Sequence, residues 1–328
     1  MKFRTEYIPR QSSLVLSPDR PVVLLGSCFA GNMAERMRAC LWNASDPLGT
    51  LYNPISIEQA LRSLLFSSHS GMEFYESLFK SSGNYHSWLF DSKISAENRD
   101  DCMAAFLSRK EMIDKLLGEA QALFVTFGTS WCYYLADRKD YVVANCHKQP
   151  ANMFVRKRVT AGEIVERWST LAKMLKERYP QLQIVFTVSP VRHLKDGFAG
   201  NSHSKAVLLL AVEELCDKID YCHYFPAYEI VNDDLRDYRF YASDLVHPSE
   251  EAVEYIWEIF KATYVDGAGE TILKEGEKIL RAWRHRPLPN STRCPSEDMI
   301  ERENKRLDEI RLRHAAFRSL HPAVLPLT

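Results

Sequence analysis

Long apolar runs are missing from this chain. No segment reaches the roughly 20 uninterrupted apolar residues of a membrane span, and Met1-Lys2-Phe3-Arg4-Thr5-Glu6-Tyr7 holds no stretch of signal-peptide length. A cytoplasmic protein with no membrane partner is therefore expected. An excess of one charge is missing too. The 42 basic and 43 acidic residues leave a formal net charge of −1, which gives no global attraction to nucleic acid or to an anionic bilayer. Metal-type and disulfide-type spacing is also absent. The eight cysteines, Cys28, Cys40, Cys102, Cys132, Cys146, Cys216, Cys222 and Cys294, are scattered without a Cys-x-x-Cys pair. That argues against a zinc ribbon or a dense disulfide framework, and most of them read as small buried apolar residues. There is no His-Glu-x-x-His helix, so no metal and no cofactor is expected. Internal repeats and low-complexity segments are likewise absent. What remains is a chain of 328 residues, 46% hydrophobic, enough for a sizeable core.

The most informative stretch is Val22-Val23-Leu24-Leu25-Gly26-Ser27-Cys28-Phe29-Ala30. Four apolar residues in a row predict a strand buried on both faces, as in a parallel sheet. Gly26 breaks it, two small residues capable of nucleophilic attack follow, and Asn32–Met37 reads as a helix. Such a turn exposes a side chain at the carboxyl end of a sheet, beside helix amides that favour negative charge. A second stretch, Tyr241-Ala242-Ser243-Asp244-Leu245-Val246-His247-Pro248-Ser249, places an Asp three residues before a His ahead of a helix start. A carboxylate there can fix the imidazole tautomer and support its charged form.

Gly26-Ser27-Cys28-Phe29-Ala30 spells the signature of the GSCFA family, which belongs to the SGNH (GDSL-like) hydrolase superfamily, and the resemblance extends over roughly residues 20–262. It implies a three-layer α/β/α sandwich with a parallel sheet and an acyl-transfer site, most often for ester or acyl hydrolysis. It supplies no particular substrate.

The chain itself points to the same architecture. Strands are expected at Val22–Leu25, Ala122–Phe127, Gln183–Pro190 and Tyr224–Ile230, the last an edge strand because it contains Pro226. Helices are expected over 57–66, 99–118, Ala161–Arg178, Lys205–Cys216 and about Pro248–Tyr264. Alternating strands and helices mean a parallel sheet with helices on both faces. Residues 67–100 are polar and aromatic, long for a connection. The expected organisation is a core domain at 1–265 with a helical insertion at about 55–120, then a helical extension at 266–328. Pro287, Pro289 and Pro295 interrupt that extension. Its last helix, about 297–320, is highly charged without a broad apolar face and reads as solvated or as pairing with a partner helix. Self-association through it is one expectation.

The superfamily pattern is Gly-Asp-Ser, with the nucleophile two residues after the glycine. Laid over Gly26-Ser27-Cys28, that register selects Cys28, with Ser27 the alternative. A thiol at a helix N-terminus near His247 is expected to ionise below the ordinary thiol value, and Cys–His–Asp is a known variant of the triad. The resemblance also implies oxyanion donors after the second and third core strands. Gly49 is the candidate for the first. At the second, Gly128 matches, but Ser130 stands where the family pattern has Asn, which leaves Asn145 as the nearest alternative. His193 and His203 flank the loop after the Gln183–Pro190 strand and are candidate substrate contacts. Lys195, Arg192 and Arg156-Lys157-Arg158 read as solvated charge, although the first two lie where an anionic group could bind.

Three functions fit the sequence. The first is an acyl hydrolase or acyltransferase acting on a small-molecule or carbohydrate acyl substrate through Cys28 or Ser27, His247 and Asp244. The second is a ligand-binding protein on a degenerate form of that fold. The third is an interaction protein using its charged C-terminal helix.

Overall fold

The computed structural model describes residues 4–67, 71–138, 141–285 and 297–327. Pro287, Pro289, Cys294 and Pro295 lie outside the described residues.

Strand β1 (Val22–Gly26) leads into α1 (Cys28–Arg38) and the short β2 (Ala44–Ser45). Helices α2 (Pro54–Phe66) and α3 (Met72–Glu76), a hairpin of β3 (Leu78–Ser81) and β4 (Asn84–Ser87), and α4 (Arg99–Glu119) follow. The chain re-enters the core as β5 (Ala122–Phe127), then makes a small antiparallel sheet of β6 (Trp131–Leu135), β7 (Val142–Val143) and β8 (Phe154–Arg158). Next come α5 (Ala161–Arg178), β9 (Gln183–Val188), α6 (Gly197–Lys218) and β10 (Cys222–Tyr224). One turn, α7 (Ala227–Glu229), a π-turn at Ile230–Leu235, and helices α8 (Glu250–Tyr264), α9 (Gly267–Arg284) and α10 (Glu297–Leu320) complete the chain.

The central sheet has five strands in the order β10-β9-β5-β1-β2, all parallel. Its strands are apolar on both faces because helices cover both. Successive side chains alternate between the two sides. Val23, Leu25, Leu123, Val125 and Phe127 pack with α2, α4, α5 and α6, while Val22, Leu24 and Phe124 pack with α1 and α8. Ser27, Gly128 and Ser189 each follow a strand at its carboxyl end, the edge where open α/β sheets bind ligands.

Local signals place the helices. Thr160 and Glu163 form a capping box at the start of α5, and Ser249 caps α8 by accepting from the Ala252 amide. Two expectations need correction. The stretch expected as an edge strand at Tyr224–Ile230 ends as a strand at Tyr224, since Pro226 removes a ladder donor and the chain turns helical. Helix α10 packs against this same chain. Ile310 and Phe317, spaced to share one face, are buried in a cluster with Leu41, Ile279 and Leu280, and His314 on the same face is buried with Nε2 3.0 Å from Leu325 O.

Among the described residues, no helix is long and apolar enough to cross a membrane.

Candidate functional site at the carboxyl edge of the sheet

The turn after β1 tolerates only glycine at position 26. Its φ is +128°, and a Cβ there would sit 2.1 Å from the Thr126 carbonyl oxygen. That close approach lets the Ser27 amide donate to Thr126 O at 3.2 Å, while Leu51 N donates to Gly26 O at 2.8 Å. The turn is thereby tied to both neighbouring segments. Ser27 is the N-cap residue of α1 in extended conformation, yet its hydroxyl makes no capping bond. It is buried, 3% exposed, and its Oγ has no hydrogen-bond partner among the described residues. Cys28 is the first helical residue. It is half-buried and reaches a cavity of about 430 Å³.

His247 reaches the same cavity from the loop before α8. Its Nδ1 lies 2.6 Å from Asp244 Oδ2, and Asp244 Oδ1 accepts from the amides of Val246 (2.9 Å) and His247 (3.0 Å). Leu245, at φ +59°, turns the chain so that both amides face the carboxylate. The His247 amide and imidazole, then the Val246 amide, hold the Asp244 carboxyl down at about 2. An ionised carboxylate only accepts, so Nδ1 carries a proton, and in the neutral tautomer Nε2 is the bare nitrogen.

The remaining sequence candidates divide. Asn145 lines the cavity and spends Oδ1 on the His147 amide at 2.7 Å. His193 lines it as well, edge-on to Tyr52, and burial, with Lys205 next, pushes its imidazole down to about 4. It is neutral at neutral pH. Gly49, Gly128, Ser130 and His203 are not among the lining residues. The Gly128 amide is occupied, donating to Tyr52 O at 2.8 Å. Ser130 is fully buried and turned toward α6, where its amide donates to Ser204 Oγ at 2.8 Å and its hydroxyl lies 3.1 Å from the same atom. His203 is exposed on α6.

Two neighbours of the cavity escape the sequence reading. Lys205 on α6 is 1% exposed, and its Nζ donates to Gly128 O and Ser189 O, both at 2.6 Å. It clamps the ends of β5 and β9 together beneath the cavity. Burial pushes its ammonium down to about 7, opposed by Cys28. The available signal is phase: Lys205 shares a helical face with the buried Leu208 and Val212. The second is Arg156 on β8. Expected as a solvated charge, it lines the cavity, lies 4.5 Å above the Trp131 ring and pairs with the fully buried carboxylate of Asp196.

The thiol corrects another expectation. Burial pushes Cys28 up from the ordinary thiol value, against the pull of the Phe29 and Cys28 amides and of Lys205; Asp244 pushes the same way as burial. Desolvation of a thiolate outweighs the helix amides here. Among the described residues, no group of three or more His, Cys, Asp or Glu side chains is placed to hold a metal ion.

Fold and site together define a class: an α/β/α protein whose strand-turn-helix cysteine and loop histidine open on one cavity at the carboxyl edge of a parallel sheet. Within that class the chain belongs to the GSCFA family, whose profile matches residues 21–260. Comparison with curated proteins returns no match. Among solved structures, a carbohydrate esterase family 2 enzyme with a carbohydrate-binding domain from Corynascus thermopiles (Myceliophthora fergusii) is 14% identical. That match covers 47% of this chain and 37% of the other, with a TM-score of 0.29. A carbohydrate esterase family 3 protein from Talaromyces cellulolyticus is 7% identical over 79% of this chain and 99% of the other, also with a TM-score of 0.29.

Proposed function

We propose that this protein is an SGNH-type acyl-ester hydrolase or acyltransferase with Cys28 as nucleophile. The observation that carries the reading is that Cys28, at the head of α1, and His247, held by Asp244, line one cavity. Cys28 Sγ attacks the substrate carbonyl carbon while the bare Nε2 of His247 takes the thiol proton. The tetrahedral oxyanion faces donors at the start of α1 and the side-chain amide of Asn145. On collapse the C–O bond breaks and His247 returns its proton to the leaving oxygen, leaving an acyl thioester on Cys28. Water then gives hydrolysis, and a hydroxyl or amine gives transfer. Asp244 keeps the imidazole in the required tautomer and stabilises its charged form.

The test is an activated acetyl ester with trapping of the acyl-enzyme. Cys28→Ala should abolish acylation, and mass spectrometry should place the acyl group on Cys28 in the wild type. Ser27→Ala should retain most activity, because that hydroxyl is buried beside the nucleophile. Loss of acylation in Ser27→Ala with Cys28→Ala active would move the nucleophile by one residue.

The displacement of Ser130 toward Ser204 and the raised thiol favour a second reading, a ligand-binding protein on the same fold. Saturable binding without turnover would support it.

A further inference from the structure

The charge of the cavity wall is one-sided. Arg156, Arg192 and Lys195 line it together with His247, and no Asp or Glu is among the described lining residues. Arg156 is compensated by Asp196 behind it, and His247 has Asp244. Arg192 and Lys195 make no ion pair among the described residues. Lys195 Nζ donates to the Tyr133 hydroxyl at 2.8 Å, and the Arg192 guanidinium lies 6.0 Å from the centre of the Tyr241 ring. Two positive charges therefore border the cavity without a carboxylate, in a chain whose net charge is −1. The neutral wall adds donors of the same kind. Trp131, also lining the cavity, keeps a buried indole N–H with no acceptor among the described residues. An indole nitrogen only donates, so the group it lacks is an acceptor. The loop carrying Arg192 and Lys195 is itself fixed, because the His193 amide donates to Asn201 Oδ1 at 3.1 Å and Asp196 anchors it to β8 through Arg156.

We propose that the ester taken by this cavity carries a negatively charged group, a carboxylate or a phosphate, recognised by Arg192 and Lys195. The inference rests on the acyl-transfer reading for the word ester, and on the cavity wall alone for the anion. A guanidinium presents a planar fork that suits either oxyanion, and a nearby ammonium adds a point charge. The charge acts twice: it draws anions toward the mouth and it holds one end of the substrate while the acyl carbonyl meets Cys28.

The test separates binding from chemistry. Full-length Cys28→Ala protein is titrated with 4-acetoxybenzoate, its uncharged methyl ester and 4-acetoxyphenyl phosphate. These share the acetyl ester and differ in charge. At least one anionic probe should bind about tenfold more tightly than the methyl ester, and the stronger of the two anions identifies the natural group. That preference should shrink toward parity in Arg192→Ala and Lys195→Ala. Raising salt from about 50 to about 500 mM should weaken the anionic probes far more than the neutral one. Equal binding of neutral and charged probes, an unchanged preference in both variants, or no measurable binding of either anion overturns the proposal. If the anion preference holds while wild-type protein never acylates, the catalytic reading fails and the anion site stands.

Discussion

Asp244 and His247 meet at 2.6 Å through Oδ2 and Nδ1, on a loop that belongs to no strand of the central sheet. The loop is folded by its own carboxylate, because Asp244 Oδ1 gathers the two amides that place the imidazole. Orientation and tautomer therefore come from one side chain. Asp244→Asn keeps the shape but offers an amide that can donate to Nδ1 and leave the proton on Nε2. Turnover of an activated ester should fall by about 100-fold or more, with the melting temperature little changed. Because the carboxyl is held down at about 2, it is ionised from neutral pH to well below pH 4. Support from the depressed carboxyl is lost only as pH falls toward that value, so any acid limb of activity near pH 5 must come from another group. An Asp244→Asn protein with full activity would remove the triad from the mechanism.

The turn that presents Cys28 is the least forgiving place in the fold. At Gly26 an added methyl would meet the Thr126 carbonyl at 2.1 Å, at a φ of +128°. Both the strain and the clash fall on the pairing of β1 with β5. Gly26→Ala should cost about 3 kcal/mol or more in chemical denaturation. A variant of wild-type stability would mean that the turn relaxes without cost.

Legibility in the sequence followed the range of the interactions involved. Strands β1 and β5 are runs of apolar residues, and α5 carries both a 3.6-residue stripe and its capping box, so local pattern sufficed. Asp244 and His247 are three residues apart, and their pairing was equally readable. The small sheet of β6, β7 and β8 was not. Its strands are short, mix aromatic with cationic residues, and pair Tyr133 with Arg156 across a long loop. Arg156 consequently read as a solvated charge. The direction of Ser130 depends on Ser204, 74 residues away, and no local signal carries that. Lys205 was hidden for a related reason: what makes it buried is the convergence of two strand ends with α6.

The C-terminal helix offers a test of packing. Phe317 is 7% exposed and shares its cluster with Leu41, Ile279 and Leu280. Phe317→Ala should destabilise the protein by about 3 kcal/mol if the cavity left behind stays open. The Arg313–Glu275 pair at the same junction is half-exposed, and Arg313→Ala should cost well under 1 kcal/mol. Comparable losses in the two variants, measured by urea unfolding, would contradict the assignment of the helix to this core.

Cys28 holds its proton more tightly than a free thiol does. Burial pushes the thiol up, while the Phe29 and Cys28 amides and the Lys205 ammonium pull it down. Because the net direction is upward, the thiol is protonated at neutral pH in the free protein. Alkylation of Cys28 by iodoacetamide should be slow at pH 7 and should rise with a midpoint above the ordinary thiol value of about 8.5. The Lys205 ammonium, held down at about 7, is largely deprotonated at that midpoint, so Lys205→Met should move it little. The substitution also strips Gly128 O and Ser189 O of their donor, at a cost of about 1–3 kcal/mol in stability. Turnover obeys a different rule. His247 can take the proton during attack, so acylation at pH 7 should exceed what the alkylation profile allows for a preformed thiolate. Asp244→Asn should remove that excess, bringing the two pH profiles together. An alkylation midpoint below the ordinary thiol value would mean that the amides and Lys205 win over burial, and that Cys28 attacks as a standing thiolate.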